Sequence, residues 1–506
     1  SIWQVNFAPN KTGTWQYVVS FKTGSDVAIN GGGGSAGYMD GTTGSFDIGP
    51  SDKSGRDFRS TGRLEYVGQH YLRFADSGDY FIKAGPDAPE GMLGYDDFDD
   101  TPLSKQGSIK SWQPHQQDYL ASEAENYTWK GGKGTEMLGM IRYLNGQGMN
   151  VFSFLTFSLD GDSGNVFPHL GKVADPRNWS QVHHDRFDIS KLEQWERVFE
   201  YADKKGMYLH FKTMETENDN IMDNNALGRE RKLYYRELIA RFGHHLALNW
   251  NISEEVTLPA AVIKQVAAFI KQTDPYDHNI VVHTHPGALE IYRSLLGSQS
   301  ELSGASIQTD KNTVHRDVAD WVGNSAAAGK KWVVANDEQG HFNIGVNSDP
   351  QERDLVRKQV LWGALMGGGA GVEYYYGYQT ACTDLNCEDH RSRESKWRDA
   401  KIALDFFQTH LPFWEMSPND GRTSSSSDYV LEKSGSIYAV YLPSGGSTDI
   451  DLTSLSGTFS IAWFNPRNGG NLSSGSKSTV AGGGLVSIGN PPGSPSDDWL
   501  ALIRKQ

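Results

Sequence analysis

From residue 80 to residue 415 the chain alternates short apolar runs with longer stretches in which apolar residues recur every three or four positions. The short runs, at 80–84, 150–155, 208–213, 246–251, 279–283, 305–308, 331–336 and 371–375, are β-branched or aromatic and end in polar residues. Strands that alternate with helices imply a parallel sheet. The longer stretches, including 191–204, 227–242, 258–272, 353–365 and 395–409, carry the helical period. Eight strand-then-helix units predict an α/β domain of the closed (β/α)8 TIM-barrel type. An open doubly wound sheet alternates in the same way, but it carries a glycine-rich phosphate loop after its first strand, and residues 85–91 do not fit one.

The two ends of the chain follow a different pattern. Short β-type runs at 2–7, 15–21 and 72–74, separated by turns such as 31–34, predict a β-sandwich over residues 1–79. Runs at 436–442, 459–463 and 498–503 between Gly/Ser/Pro clusters predict a second sandwich over 416–506. The expected organisation is therefore a barrel at 80–415 flanked by two β-sandwich domains, and the insert at 86–134 is expected to overhang the barrel top.

Composition narrows the partners. At 506 residues the chain exceeds what one hydrophobic core supports, which agrees with several domains. A formal charge of −15 opposes association with nucleic acid or an anionic membrane, and no run is long and apolar enough to span a bilayer. Neither partner is expected. Cys382 and Cys387, the two cysteines, share one polar loop and predict a local disulfide; a zinc site would need His390 and Asp389 as well, and no metal is expected. This cysteine usage suits an oxidising compartment, so a secreted, cell-surface or periplasmic bacterial location is expected, although the chain opens directly in the run at 2–7.

Barrel active sites lie at the carboxyl ends of the strands. There the sequence places His210, Lys212, Glu215, Glu217 and Asp219, then Asn251, Glu254 and Glu255, then His283 and His285. Gln308 and Asp310, Asn336, Asp337 and Glu338, and Glu373 with Tyr374, Tyr375, Tyr376 and Tyr378 follow. Glycosidic bond cleavage needs one carboxylic acid to protonate the departing oxygen and one carboxylate to attack the anomeric carbon or activate water. Crowded carboxylates raise the proton affinity of at least one of them, which keeps an acid protonated near neutral pH. His210, Lys212, Glu215, Asn251, Glu254, His283, His285, Gln308, Asp337, Glu373, Tyr374 and Tyr376 are the substrate-binding candidates. The histidines also fit as core groups satisfied by carbonyls, and the tyrosines as barrel packing. Trp112 and Trp129 in the insert are candidates for stacking on sugar rings. The segment Asp160-Gly161-Asp162-Ser163-Gly164-Asn165 starts like a calcium loop but lacks the downstream glutamate, so it reads as a turn. The triplets at Asn126 and Asn251 that could accept glycans are assigned no function.

Trp250-Asn251-Ile252-Ser253-Glu254-Glu255 resembles the fourth-strand motif of the large retaining glycosidase clan A, Trp-x-Leu-x-Asn-Glu, whose final glutamate is the acid/base. The run from Lys331 to Gly340 resembles the clan's seventh strand, whose terminal glutamate is the nucleophile. The resemblance implies Glu255 as acid/base and Glu338 as nucleophile. Glu254 stands where the clan has the asparagine that binds the sugar's second hydroxyl, which leaves Glu254 and Glu255 as alternatives for the proton donor. Thr12-Gly13-Thr14-Trp15-Gln16-Tyr17, Phe98-Asp99-Asp100-Thr101, Glu215-Thr216-Glu217-Asn218-Asp219, Gly371-Val372-Glu373-Tyr374 and Trp463-Phe464-Asn465-Pro466-Arg467 are similar to a family of bacterial polysaccharide-degrading proteins with an N-terminal sandwich and a collagen-binding-like C-terminal module. That similarity implies a retaining, endo-acting hydrolase of a polysaccharide such as the red-algal galactans agar or carrageenan, working without a cofactor. Lys212, Arg177 and Arg186 are then candidates for sulfate binding, or ordinary charges. Two other classes compete: a polysaccharide lyase using His283, His285 or a tyrosine as base, and a non-catalytic glycan-binding protein.

Overall fold

A computed structural model describes residues 3–506. Eight parallel strands form its centre: β1 (Lys83–Asp87), β2 (Val151–Leu155), β3 (Tyr208–Lys212), β4 (Leu248–Asn251), β5 (Asn279–Val281), β6 (Gly304–Thr309), β7 (Val333–Gln339) and β8 (Gly371–Tyr375). They pair in two sets of four, β2-β3-β4-β5 and β6-β7-β8-β1. Both seams are bridged. Asn150 N donates to Ala84 O at 3.0 Å between β1 and β2, and His283 pairs in parallel with Ser306 between β5 and β6. Every residue of these strands is buried, including the polar positions Lys83, Ser153, His210, Lys212, Asn251, Gln308 and Glu373.

Two strands deserve their causes. β1 begins three residues later than the expected 80–84, because Gly85 and Pro86 lie inside the strand rather than ending it. A Cβ on Gly85 would stand 2.0 Å from Val151 O, so only glycine allows β1 to close on β2. Between β6 and β7 the register shifts by one: Ile307 pairs with Asn336 but Gln308 pairs with Glu338. This bulge at Asp337 re-aims the strand, so that the consecutive acids Asp337 and Glu338 both find partners inside the barrel.

The expected helices stand close to their limits, at Ile189–Lys205, Arg229–Phe242, Ala260–Thr273 and Glu394–His410. The stretch from Arg353 to Met366 is helical throughout but winds as a π-helix over Val356–Leu361. Thr135–Gly146 and Val314–Ala327 are further helices of the outer layer. Among the described residues no helix is long and apolar enough to cross a membrane.

The N-terminal region is not the sandwich its pattern suggests. Gly13–Val18 pairs with Thr43–Ile48 and Lys22–Thr23 with Gly34–Ser35, each as a two-stranded ribbon. The run expected at 2–7 begins outside the described residues, and from Trp3 onward it is not a strand. Among described residues 3–50 only Ile29 is buried, so no second layer covers these ribbons. The hairpin Leu64–Tyr66 with Leu72–Phe74 does pack, adding Leu64, Leu72 and Phe74 to the barrel's core.

The C-terminal region is a six-stranded antiparallel sheet, ordered Ser417–Pro418, Tyr429–Lys433, Ile437–Leu442, Trp499–Lys505, Thr458–Phe464, Thr479–Ala481, over a two-stranded one, Asp449–Asp451 with Leu485–Ser487. Strand alternation divides the larger sheet's faces. Val430, Val440, Ile461 and Ile503 face the smaller sheet, while Leu431, Tyr441, Leu500 and Leu502 join the barrel's core, where Tyr441 stacks on Trp362. The disulfide Cys382–Cys387 is formed, with Cα atoms 4.6 Å apart.

Candidate active site

Within the barrel, buried charges are arranged in tiers. Lowest, Lys83 pairs with Asp337 at 2.7 Å and with Glu373, while His210 Nδ1 lies 2.8 Å from Glu373. Asn251 donates its side-chain amide to His210 Nε2 at 3.0 Å, so the ring proton sits on Nδ1 and points at Glu373. Burial, followed by the charge of Lys83, holds His210 well below its ordinary pKa, which keeps the ring neutral. Above this tier Lys212 bridges Asp87 at 2.7 Å and Glu254, and Ser153 donates to Asp87 at 2.5 Å. Two buried lysines thus offset several buried acids, as burial of charge requires.

At the carboxyl end of the strands is a cavity of about 40 Å³, room for a few waters. Glu90, Asp162, Glu215, Glu217, Glu254, Glu255 and Glu338 line it, with Phe342, Tyr375 and Tyr378 at its sides. Gln308 sits between two of these acids. Its amide nitrogen donates to Glu255 Oε1 and to Glu338 Oε1 at 2.8 Å each. The two oxygens are therefore at most twice that distance, 5.6 Å, apart.

Each acid is held from behind. Glu338 Oε2 lies 3.2 Å from His283 Nε2, whose ring is fixed through Nδ1 by the Ser306 hydroxyl at 3.0 Å. Glu255 Oε2 lies 3.2 Å from His285 Nδ1. Glu255 has φ +45°, the left-handed region that side chains with a Cβ avoid, and such strain costs on the order of 1–3 kcal/mol and persists where the surroundings impose it. Here they do. Asp219 accepts from Ser253 Oγ at 2.7 Å and from Thr257 N at 2.7 Å, pinning both flanks of the turn that carries Glu254 and Glu255. The strained turn lets two consecutive glutamates face one cavity, Glu254 inward to Lys212 and Glu255 to the mouth.

The acids differ in proton affinity. Burial, then the charges of Glu255 and Glu254, push Glu338 well above the usual carboxylate range. Burial and Asp87 push Glu254 up to about 8 against the pull of Lys212. Burial also acts on Glu255, but hydrogen bonds from His285 and Gln308 outweigh it and hold that carboxyl below its ordinary value. Glu90 and Glu215 are both driven well upward, first by burial and then by neighbouring acids. Glu215 fits beside the turn because residue 161 is glycine: a Cβ there would stand 1.6 Å from Glu215 Oε1.

Of the substrate-binding candidates, the cavity takes in Glu215 and Glu254, and Gln308, His283 and His285 contact its carboxylates. His210, Lys212, Asn251, Asp337 and Glu373 lie below it and are buried, held by one another or by Lys83, Asp87 and Glu254. Tyr374 faces the outer helices and stacks on Trp397, and Tyr376 donates to His390 or accepts from it at 2.8 Å under the Arg393 guanidinium. Neither approaches the cavity. Trp112 and Trp129 are buried inside the insert, Trp129 stacked on Phe98, so neither offers a face to a sugar. Arg177 is held by Asp175 and Leu103 O, away from the carboxylates. The residues missed are Glu90 and Phe342, and Asp162, which reads in the sequence only as part of a turn; Tyr375 and Tyr378, rather than Tyr374 and Tyr376, are the tyrosines of the cluster at the cavity. Tyr378 donates to Asp162 at 2.5 Å, and Phe342 is 54% exposed at the cavity's edge.

Two triads of possible metal ligands, His210–Asp337–Glu373 and Glu254–His283–Glu338, lie in this region. In each, a lysine ammonium already stands among the carboxylates.

Residues 138–406 match the family model described as the apiosidase-like catalytic domain, and residues 420–504 match that of a collagen-binding-type domain of a collagenase. No curated protein matches the chain. Among solved structures, a glycoside hydrolase superimposes with TM-score 0.63 at 13% identity, over 90% of this chain and 99% of that one. A glycoside hydrolase family 5 protein from Bacteroides vulgatus gives TM-score 0.61 at 14% identity, over 88% of this chain and 93% of that one. These likenesses show a shared fold of the barrel-type glycoside hydrolases.

Proposed function

We propose a double-displacement mechanism for this chain, which belongs to the apiosidase-like catalytic-domain family and is a glycoside hydrolase. Glu338 is the nucleophile and Glu255 the acid/base. The observation that carries this is the Gln308 amide shared by both carboxylates, which limits their Oε1 atoms to 5.6 Å. Retaining enzymes hold their two carboxyl groups about 5–5.5 Å apart, whereas inverting ones need roughly 6.5–9.5 Å to admit a water. Glu255, at the mouth, protonates the departing oxygen; Glu338, beneath, attacks the anomeric carbon. Glu255 then takes a proton from the water that releases the sugar.

Proton placement has to change as the sugar enters. Burial and like charges favour the proton on Glu338, while hydrogen bonds favour ionised Glu255. A sugar covering the mouth desolvates Glu255 and raises its proton affinity, and positive charge developing at the anomeric carbon stabilises ionised Glu338. The reacting state therefore reverses the resting one.

The seven acids around the cavity favour an uncharged sugar at the bond to be cut and disfavour sulfate or carboxylate groups there. Among red-algal galactans this favours agar over carrageenan; the family description points equally to an apioside. Phe342 and Tyr378, at the cavity's edge, supply the apolar faces on which a chain of sugars is held for internal cleavage. The acidic lining also weighs against a lyase, which needs a cation to neutralise a uronate, and no Arg or Lys lines the cavity among the described residues. The C-terminal module is proposed to hold the enzyme on a polymer surface.

The test is an array of agar, carrageenan, neutral plant glycans and apiosides, with products sized and anomers followed by proton NMR. Retained configuration on a neutral glycan is expected. Inversion, or an unsaturated product absorbing in the ultraviolet, would overturn the mechanism.

A further inference from the structure

At the opposite end of the barrel, where the chain enters β4, three side chains outside the catalytic cavity converge. Glu196 projects from the helix Ile189–Lys205, and His244 and His245 precede β4. His244 Nε2 lies 2.9 Å from Glu196 Oε1, and His245 Nε2 lies 3.4 Å from Glu196 Oε2. Their ligand atoms all fall within 4.8 Å of one another.

The far side of each ring is already committed. His244 Nδ1 donates to Arg241 O at 2.8 Å, and His245 Nδ1 to Asp203 Oδ2 at 2.8 Å. Each Nε2 is directed at Glu196, and with no cation there burial is outweighed by the charges of Glu196 and Asp203, which favour a proton on His245 that a cation would displace. His245 is fully buried, and its Nε2 and Glu196 Oε2 have no hydrogen-bond partner. Filling both Nε2 positions with protons instead would set two imidazolium rings with centroids 4.4 Å apart, like charges in contact. Metal-ligating histidines typically donate their other ring nitrogen to a carboxylate or backbone carbonyl, which is the arrangement of both rings here. Glu196 and Asp203 are seven residues apart on one helix, so one helical face supplies both a ligand and its supporting carboxylate. In contrast to the two triads in the barrel interior, no lysine is paired with Glu196 among the described residues.

We propose that Glu196, His244 and His245 form a site for a zinc-class divalent cation, with Asp203 orienting His245. Two imidazoles and one carboxylate are a borderline-soft donor set suited to zinc. A tetrahedral ion with bonds of about 2.0–2.1 Å places its ligand atoms roughly 3.3–3.5 Å apart, and with one atom from each residue already within 4.8 Å of the others, binding draws the three side chains slightly together. The fourth position faces a cavity of about 560 Å³ that His244 and His245 line together with Asn10, Arg63, Arg197 and Asp203. Residues 7–12 of the N-terminal segment close the other side of that cavity. Sites at this end of a barrel serve stability rather than chemistry, so the ion clips the helix to the entry of β4 beneath the N-terminal segment.

The experiment is calorimetric titration of the full, untagged, chelator-treated chain with zinc chloride, with cobalt(II) absorption as a second readout. One equivalent is expected to bind, a tetrahedral cobalt spectrum to appear, and the melting temperature to rise with zinc. His244→Gln, at a partly exposed position, should lower affinity at least 100-fold while preserving the fold, and Asp203→Asn by about 10-fold. Glu338→Gln should leave binding unchanged. Absence of saturable binding, or binding lost in Glu338→Gln but kept in His244→Gln, would overturn the proposal and leave the cluster as a proton-held ion pair.

Discussion

Gln308 Nε2 stands 2.8 Å from Glu338 Oε1, and the β-bulge at Asp337 is what brings the two residues level on neighbouring strands. The same nitrogen serves Glu255, so one amide sets both the spacing of the carboxylates and the balance of protons between them. Gln308→Leu is expected to lower kcat by about 10²–10³-fold, the range seen when one preorganised donor is lost from an active site. Losing this donor also raises the proton affinity of Glu255, so the acid limb of the pH–rate profile should move upward. A profile unchanged in position would mean that Gln308 does not tune Glu255.

The buried acids give stability an unusual dependence on pH. Glu254 is raised to about 8 and Asp384 to about 7, both mainly by burial. A carboxyl that binds its proton more tightly folded than unfolded contributes fully below the unfolded value, and that contribution is lost as pH rises through the folded value. Glu196 and Asp274, held near 2, act in the opposite sense but only below about pH 4.5, so they leave the higher window untouched. Buried His169, His210, His283 and His390, held below their ordinary values by burial, act in the opposite sense up to about pH 6.5, so thermal melts should show stability falling from about pH 6.5 to about pH 8. Glu254→Gln should make the fall shallower, and a slope identical to wild type would contradict the assignment.

Much of the barrel was legible because short β-type runs alternate with stretches of helical period, as at residues 331–336, which lead into Glu338 and are followed by the helical stretch at 353–365. The runs at 2–7 and 15–21 misled because exposed β-type residues carry the same pattern as sandwich strands. Trp3 and Val5, 76% and 90% exposed, look like core residues only in the sequence. In the site, strand-end glutamates marked Glu215, Glu254, Glu255 and Glu338. Glu90 was hidden by the late start of β1. The tyrosines were readable in principle: Glu373 faces the barrel axis, so a period of two sends Tyr375 inward and Tyr374 outward. Asp162 left no signal beyond its glycine-rich turn, since its place depends on Tyr378, more than two hundred positions away.

Glu254 and Glu255 can be separated kinetically. Glu255→Gln should cut kcat on a natural glycan by roughly 10²–10⁴-fold, the usual weight of general acid–base catalysis, and by far less on an aryl glycoside whose leaving group needs no proton. Glu254→Gln should depress both substrates alike, because its carboxyl group is engaged by Lys212 and positions the turn rather than delivering a proton. The reverse pattern would make Glu254 the proton donor.

Arg357 and Asp498 join barrel and C-terminal sheet through a buried pair, with nitrogen–oxygen distances of 3.1 and 2.9 Å. Tyr441 donates to the same carboxylate at 2.8 Å, and Arg467 approaches it at 3.2 Å. With Leu500 and Leu502 on the barrel's core, this contact should make the two regions unfold together. Removing one partner of such a pair strands a buried charge and costs about 3–5 kcal/mol. Asp498→Ala is therefore expected to lower the urea midpoint by that equivalent and to split one unfolding transition into two, followed by near-ultraviolet circular dichroism. The same split already present in the unaltered protein would show that the sheet is an independent module and that Arg357 and Asp498 merely touch.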